Sequence, residues 1–399
     1  MPNRVPKLVL TGATVYTAPG DEPLRDAAVV LRDGSIDEVC PNAGAETFPD
    51  ATAVDCSGCS VTAGFWNAHV HFHERKWADA GQIPAPELQR QLDELMRFGF
   101  TSVFDLSSQF SNTQALRGRI ERGEVRGPRI LTTGEGLIAT GGAPPPEVFR
   151  ALGLVETALS EVSNAESARE RARELLRAGA DAVKIFASSP AGGRLEPDLM
   201  RAAVDETHAA GRLVFVHPND AADIRAALDA GVDVIAHTTP RSGAWDEALI
   251  ARMDSQATAL IPTLMVWKSL LRHDRLSIRE RLVATAVGQV RAWTERGGCI
   301  LFGTDLGAVE YDPAQEYALM VAAGATFPAI LTALTTAPAQ RIDGDKSRAE
   351  VRAGNPADLV VLTGDPAMNI GALSAVRYTI RAGEIVYAEP SSRMPNPLA

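Results

Sequence analysis

His69 and His71 stand two positions apart in GFWNAHVHFH, at the end of the apolar run Val61 to Val70. In an extended strand that spacing turns both imidazoles to one side, where two neutral rings aimed at one point make half of a metal site. A pair alone decides little, because His-x-His arises by chance. The remaining ligands must lie downstream, and histidine is scarce, with seven in 399 residues. Two more close apolar runs, His217 in VFVHP and His237 in VIAHTT, while Lys184 lies within AVKIF and Asp305 ends LFGTD. Together the four histidines and Asp305 offer imidazole and carboxylate donors of the kind a divalent ion takes, and Lys184 is a sixth polar residue on the same set of strands.

The elements that must position them alternate. Strand candidates fall at 62–71, 102–106, 129–133, 182–187, 213–217, 233–238, 258–263 and 300–305. Amphipathic stretches such as PELQRQLDELMRFG, SARERARELLRAG and AADIRAALDAG separate them, several closing on the glycine expected just past a helix end. Eight strands with intervening helices predict an α/β chain folded as a (β/α)8 TIM-like barrel rather than an open doubly wound sheet. In such a barrel the catalytic groups gather at the carboxyl ends of the strands, where the six residues fall.

Both chain ends read differently. KLVLTGATVYT, AAVVLRDGSIDEVC and TAVDCSG are short strands with Asp33-Gly34 at a hairpin turn, and ADLVVLTGD and RYTIRAGEIVYA repeat the style with Ala382-Gly383 at the turn. The expected organisation is a composite β-sandwich domain of residues 1–61 and 354–399 around a barrel domain of 62–353.

Composition narrows the function classes. Hydrophobic residues at 45% and charged residues at 22% are ordinary for a globular protein. A net charge of −11 argues against a nucleic-acid partner, and no apolar run approaches the roughly 20 residues needed to span a bilayer. The start, with two early prolines and no cleavable apolar core, predicts a cytoplasmic protein. Four cysteines do not make a disulfide framework, and Cys56 and Cys59, although spaced C-x-x-C, have no second pair at zinc-finger spacing.

With HVH at 69–71, AVKIF, AAVDETHAAGRLVFVHP, ALDAGVDVIAHTT, IPTL, LFGTD, ALTTAPAQ and GNPADLVVL in place, the chain resembles the amidohydrolase superfamily over nearly its full length. The resemblance is to the imidazolonepropionase-like and Xaa-Pro-dipeptidase-like branch. It implies that His69, His71 and Asp305 bind one divalent ion, that His217 and His237 bind a second, and that Lys184 is carboxylated on its amine and bridges the two. A lysine inside a barrel beside cations has its charged form disfavoured, which suits carbamate formation from the neutral amine. Zinc fits the donor set best, with manganese, cobalt or iron permitted and a single ion an open alternative. Asn67 stands where many relatives have Asp, and Pro218-Asn219 follows His217 where many have Ala.

The reaction implied is metal-assisted hydrolysis of a linear or cyclic amide of a small molecule, with Asp305 shuttling a proton from water to the leaving nitrogen. Ester or carbamate hydrolysis on the same site and a non-catalytic binding homologue are the alternatives. Substrate contacts are sought in His73, Arg75, Lys76 and Trp77 after the first strand, and in Trp267 and Lys268 after the seventh. His73 also reads as an ordinary loop residue, His208 as a helix-end residue and His273 as part of a solvated face. The long Gly- and Pro-rich loop TTGEGLIATGGAPPPEVF, 132–149, reads as a lid or specificity element. A homo-oligomer is left open.

Overall fold

The computed structural model describes residues 8–41, 48–49, 51–144, 147, 159–189, 193–307 and 312–391. Two kinds of sheet organise them. The first contains strands β1 (Leu8–Val15), β2 (Leu24–Arg32), β3 (Ser35–Pro41), β4 (Thr52–Asp55) and β5 (Cys59–Ala63).

Beyond it run the parallel strands β6 (Phe65–Val70), β7 (Phe100–Asp105), β8 (Arg129–Thr132), β9 (Leu137–Ala139), β10 (Ser160–Val162), β11 (Val183–Phe186), β12 (Val214–His217), β13 (Val234–Ala236) and β14 (Ala259–Ile261). The chain then returns to the first sheet as β15 (Leu359–Thr363), β16 (Val376–Arg381) and β17 (Glu384–Ala388).

The first sheet runs β17-β16-β15-β5-β1-β2-β3, with β4 beside β1, so both chain ends share it. Its seam is the antiparallel pair β5–β15, Leu359 opposite Ala63 through Thr363 opposite Cys59. Both expected hairpin turns are present. Asp33 and Gly34 have φ of 49° and 80°, and Ala382 and Gly383 of 49° and 76°, the left-handed pair that lets two residues join twisted antiparallel strands. Buried Val29, Val61, Leu359, Val361, Tyr378 and Ile380 form its apolar core.

The parallel strands make a three-stranded sheet, β6-β7-β8, and a six-stranded one, β10-β9-β11-β12-β13-β14. Residues 299–306 form no strand, although one was expected there, but they carry hydrogen bonds to both sheets. Leu260 N–H donates to Cys299 O at 2.9 Å and Leu301 N–H to Leu260 O at 2.9 Å. On the other side, Ala68 N–H donates to Phe302 O at 2.7 Å and Asp305 N–H to His69 O at 2.9 Å. Asp181 N–H donates to Thr132 O at 2.8 Å, bringing the start of β11 against the end of β8. Helices Ala85–Met96, Phe110–Glu121, Ala165–Ala178, Pro197–Ala209, Ala221–Ala230, Glu247–Ser255 and Leu276–Glu295 alternate with the strands. Gly179 and Gly231, at φ of 102° and 92°, close two of these helices as expected.

Two further expectations need correction. The run 62–71 is not one strand: β5 ends at Ala63 in the terminal sheet and β6 starts at Phe65 in the parallel one. Every residue from Cys59 to Val70 is buried, so hydrophobicity cannot mark the joint. Gly64 marks it instead, because a Cβ there would lie 2.1 Å from Thr101 Oγ1. The loop after β8 also contains structure, since β9 pairs β10 and touches β11 at Ile185. Part of that loop, 145–146 and 148–149, lies outside the described residues.

Candidate active site

The ends of the parallel strands bring the six predicted residues to one place. His69 Nε2 lies 3.2 Å from His71 Nε2 and 3.1 Å from Asp305 Oδ1, and His71 Nε2 lies 2.9 Å from the same oxygen. Among the described residues these three form the group of side-chain donors close enough to share one ion. The His237 ring centroid is 4.8 Å from that of His69 and 4.8 Å from that of His217. Lys184 is fully buried, and its Nζ finds no hydrogen-bond partner among the described residues, although Asp305 and His217 both feel its charge. A buried amine without a partner beside converging imidazoles and a carboxylate marks a site built for chemistry rather than packing, and the His69–His71–Asp305 group could hold a metal ion.

Local sequence explains the aim of these groups. Ala182 and Phe215, two residues before Lys184 and His217 on the same side of their strands, belong to an apolar cluster with Trp66, Ala68, Phe104, Val234, Ile261 and Leu301. That packed layer is a floor on which the polar groups stand. Gly303 in LFGTD lets 300–305 run close to β6, for a Cβ there would meet His69 Cβ at 2.8 Å. Asn67 ties the same two segments: its Nδ2 donates to Thr304 Oγ1 at 2.8 Å, and its Oδ1 accepts from the N–H groups of His69 and Thr304, each at 3.2 Å. Strain concentrates here, with Ser107, His237, Thr263 and Asp305 all at φ between 43° and 95° without being glycine.

Burial sets the charges. It pushes the imidazoles of His69 to about 3 and His217 to about 4, and holds His237 well below its usual range, so all three are neutral and offer lone pairs at pH 7. It also pushes Lys184 down to about 7, where a large fraction of the amine is unprotonated. Burial alone would raise Asp305, but the hydrogen bonds from His69 and His71 in this cluster of imidazoles outweigh it and hold the carboxyl well below its usual range.

The weaker candidates scatter. His73 does reach the site, its ring stacked on His71 at 4.6 Å and 8°, and burial pushes its pKa down to about 3. Trp77 does not line a mouth. It is fully buried among Phe72, Leu88 and Leu92, and its Nε1 donates to Glu74 at 3.2 Å, because the turn Arg75–Trp77 folds the ring into the core. Lys76 is engaged by Glu94 at 2.6 Å and Glu74 at 3.5 Å. Trp267 sits close, its Nε1 donating to Thr238 Oγ1 at 2.8 Å. Lys268 instead lines a cavity of about 890 Å³ with Arg272, Arg279 and Arg291, away from all six residues. His208 pairs with Asp233 at 2.8 Å, and His273 is exposed.

Three buried residues escaped the sequence reading. Asp105 ends β7 and accepts from Ser108, Thr113 and Thr132 at 2.5, 2.8 and 2.9 Å, an acid at a strand end that the same rule would have found. Thr263, in IPTL, places Oγ1 2.6 Å from His237 Nδ1. Glu316 accepts from backbone fifty residues earlier and leaves no local signal.

A strand-end cluster of neutral imidazoles, an ionised Asp and a buried Lys, on parallel strands alternating with helices, is the arrangement of a TIM-barrel-like hydrolase. The chain belongs to the amidohydrolase family, whose model matches residues 60–387, and it is an enzyme. Ochratoxinase of Aspergillus niger is 25% identical over 394 residues, covering 88% of this chain and 80% of that one. A putative prolidase from Bifidobacterium longum is 27% identical with a TM-score of 0.80, covering 98% of this chain and 97% of the other. A prolidase complexed with N-methylphosphonate-L-proline is 26% identical with a TM-score of 0.78, covering 96% and 100%. No helix among the described residues is long and apolar enough to cross a membrane.

Proposed function

We propose that this enzyme hydrolyses an amide C–N bond of a small molecule with bound divalent metal, zinc suiting the donor set best. The observation that carries the reading is the meeting of His69 Nε2, His71 Nε2 and Asp305 Oδ1 within 3.2 Å, beside a buried lysine amine with no partner. His69, His71 and Asp305 would hold one ion, and His217 and His237 a second. Lys184 would bridge them after its neutral amine bonds to the carbon of carbon dioxide and releases a proton, leaving a carbamate. Such ions, when bound, supply Lewis acidity and bring the pKa of water from about 16 toward 7.

The rest falls to the chain. Asp305, ionised and at the rim, takes the proton of the attacking water and returns it to the leaving nitrogen. His69, His217 and His237, kept neutral by burial, leave it as the proton carrier across the neutral range. His73 and Trp267 flank the cluster and would contact the substrate. The parallel strands from β6 to β14 and their helices, as a TIM-like (β/α)8 barrel, would carry the chemistry, and the sheet built from both chain ends, which takes in Thr62 and Ala63, would support it. The names of two similar proteins, prolidase and ochratoxinase, support an amide substrate, and prolidase favours a linear one with an amino-acid leaving group over a lactam.

The test is metal analysis of the purified protein, then turnover of Xaa-Pro dipeptides, N-acyl amino acids and small lactams with zinc-loaded enzyme. Asp305→Asn should keep fold and metal and lose turnover. Full activity in chelator-treated protein, or an active Asp305→Asn, would sink the reading.

A further inference from the structure

We infer that Glu316 is a positioning residue for His237, acting through the loop that joins β14 to the helix Met265–Leu270; the inference rests on the reading of His237 as a metal ligand. Leu264 N–H donates to Glu316 Oε1 and Met265 N–H to Glu316 Oε2, each at 2.8 Å. The first N–H groups of a helix have no partner within it, and here one carboxylate from the helix Pro313–Ala322 takes both donors at the helix start. Glu316 is fully buried. A carboxylate is costly to hold there, so a merely space-filling role is poorly served by this residue type.

What the clamp fixes is the residue just before it. Thr263 is β-branched yet sits at φ 43°, a backbone state that such residues avoid. In that state its Oγ1 lies 2.6 Å from His237 Nδ1, and His237 is itself at φ 74°. Freed of the two hydrogen bonds behind it, Thr263 would relax toward ordinary φ and carry its hydroxyl away. The same short helix holds the neighbour of His237 as well, since Trp267 Nε1 donates to Thr238 Oγ1 at 2.8 Å. One capped helix thus grips two consecutive residues of the adjoining strand end.

The chemical consequence is a choice of tautomer. A neutral imidazole has one N–H, and if Nδ1–H donates to Thr263 Oγ1, then Nε2 carries the lone pair that a metal needs. Glu316 sets this choice without touching the ring.

Nitrogen-15 NMR of the histidine side chains in metal-free protein reads the tautomer directly, and zinc titration reads the affinity. Wild type should show His237 as the Nδ1–H form. Glu316→Ala should mix the tautomers and weaken zinc binding by about 10- to 100-fold. Thr263→Val should reproduce the loss, and Thr263→Ser should restore it. A folded Glu316→Ala with wild-type tautomer and affinity overturns the inference. Should that variant fail to fold, Glu316→Gln, which presents one acceptor in place of two, must shift the tautomer part of the way, and no shift overturns the inference equally. His237→Ala separates the two layers: unchanged zinc stoichiometry there removes the ligand reading, while the tautomer result still judges the clamp.

Discussion

The terminal sheet and the rim of the parallel strands treat buried polarity in opposite ways. In the sheet, φ above zero is confined to turns and bulges such as Asp33-Gly34 and Ala382-Gly383, and the space between strands is filled by Val61, Leu359, Val361 and Ile380. At the rim, non-glycine residues are held in left-handed conformations, and Lys184 Nζ, His69 Nδ1, His71 Nδ1 and His73 Nε2 are buried with no hydrogen-bond partner among the described residues. Groups that a packed core would exclude are tolerated where they face a ligand. One region supplies stability and the other consumes it.

A crossed pair of variants can break that contrast. Asp305→Asn should lower kcat by about 10³-fold while leaving the unfolding midpoint of the metal-loaded protein near wild type, within the range seen for removal of an acid–base group. Leu359→Ala should do the reverse, costing about 3 kcal/mol in denaturant unfolding with kcat per folded molecule unchanged. If Leu359→Ala changed the metal content, the two regions would not be separable.

Lys184→Met sharpens the point at a smaller scale. In metal-free protein it replaces a buried amine, pushed down to about 7 by burial, with an apolar chain of similar length. Stability below pH 7 should rise by about 2 kcal/mol even as activity disappears. A less stable metal-free variant would mean that the amine is satisfied after all.

The smallest effect is a pH slope. Burial pushes Glu316 up to about 7 from an ordinary 4.5. Between those values the folded chain binds more protons there than the unfolded chain, so its contribution is fully present below about 4.5 and is lost as pH rises through 7. Metal-free wild type should therefore lose up to roughly 3 kcal/mol across that window relative to Glu316→Gln. Parallel unfolding curves for the two proteins from pH 4.5 to 7 would contradict this.

Sequence alone disclosed most of the rim, because its residues end apolar strands: His217 after VFV, His237 after VIA and Asp305 after LFG are polar breaks in runs that burial would otherwise keep apolar. It failed where partners are remote or burial is uniform. Glu316 reads as a helix residue among others, since the N–H groups that it serves belong to Leu264 and Met265. Trp77 could not be told from a mouth residue, because a three-residue turn decides which way the ring falls. The joint at Gly64 was invisible for the opposite reason, with no polar residue to announce that one sheet had ended.

The seam between β5 and β15 has a consequence for how the molecule is made. Ser60 and its partner Gly364 are 304 positions apart along the chain. At a synthesis rate of about 5 to 20 residues per second, the opening strands wait roughly 15 to 60 s for the strand that covers them. During that interval β5, buried along its whole length in the finished fold, presents an edge that lacks its β15 partner. Newly made chains are therefore most prone to sticking just before β15 emerges.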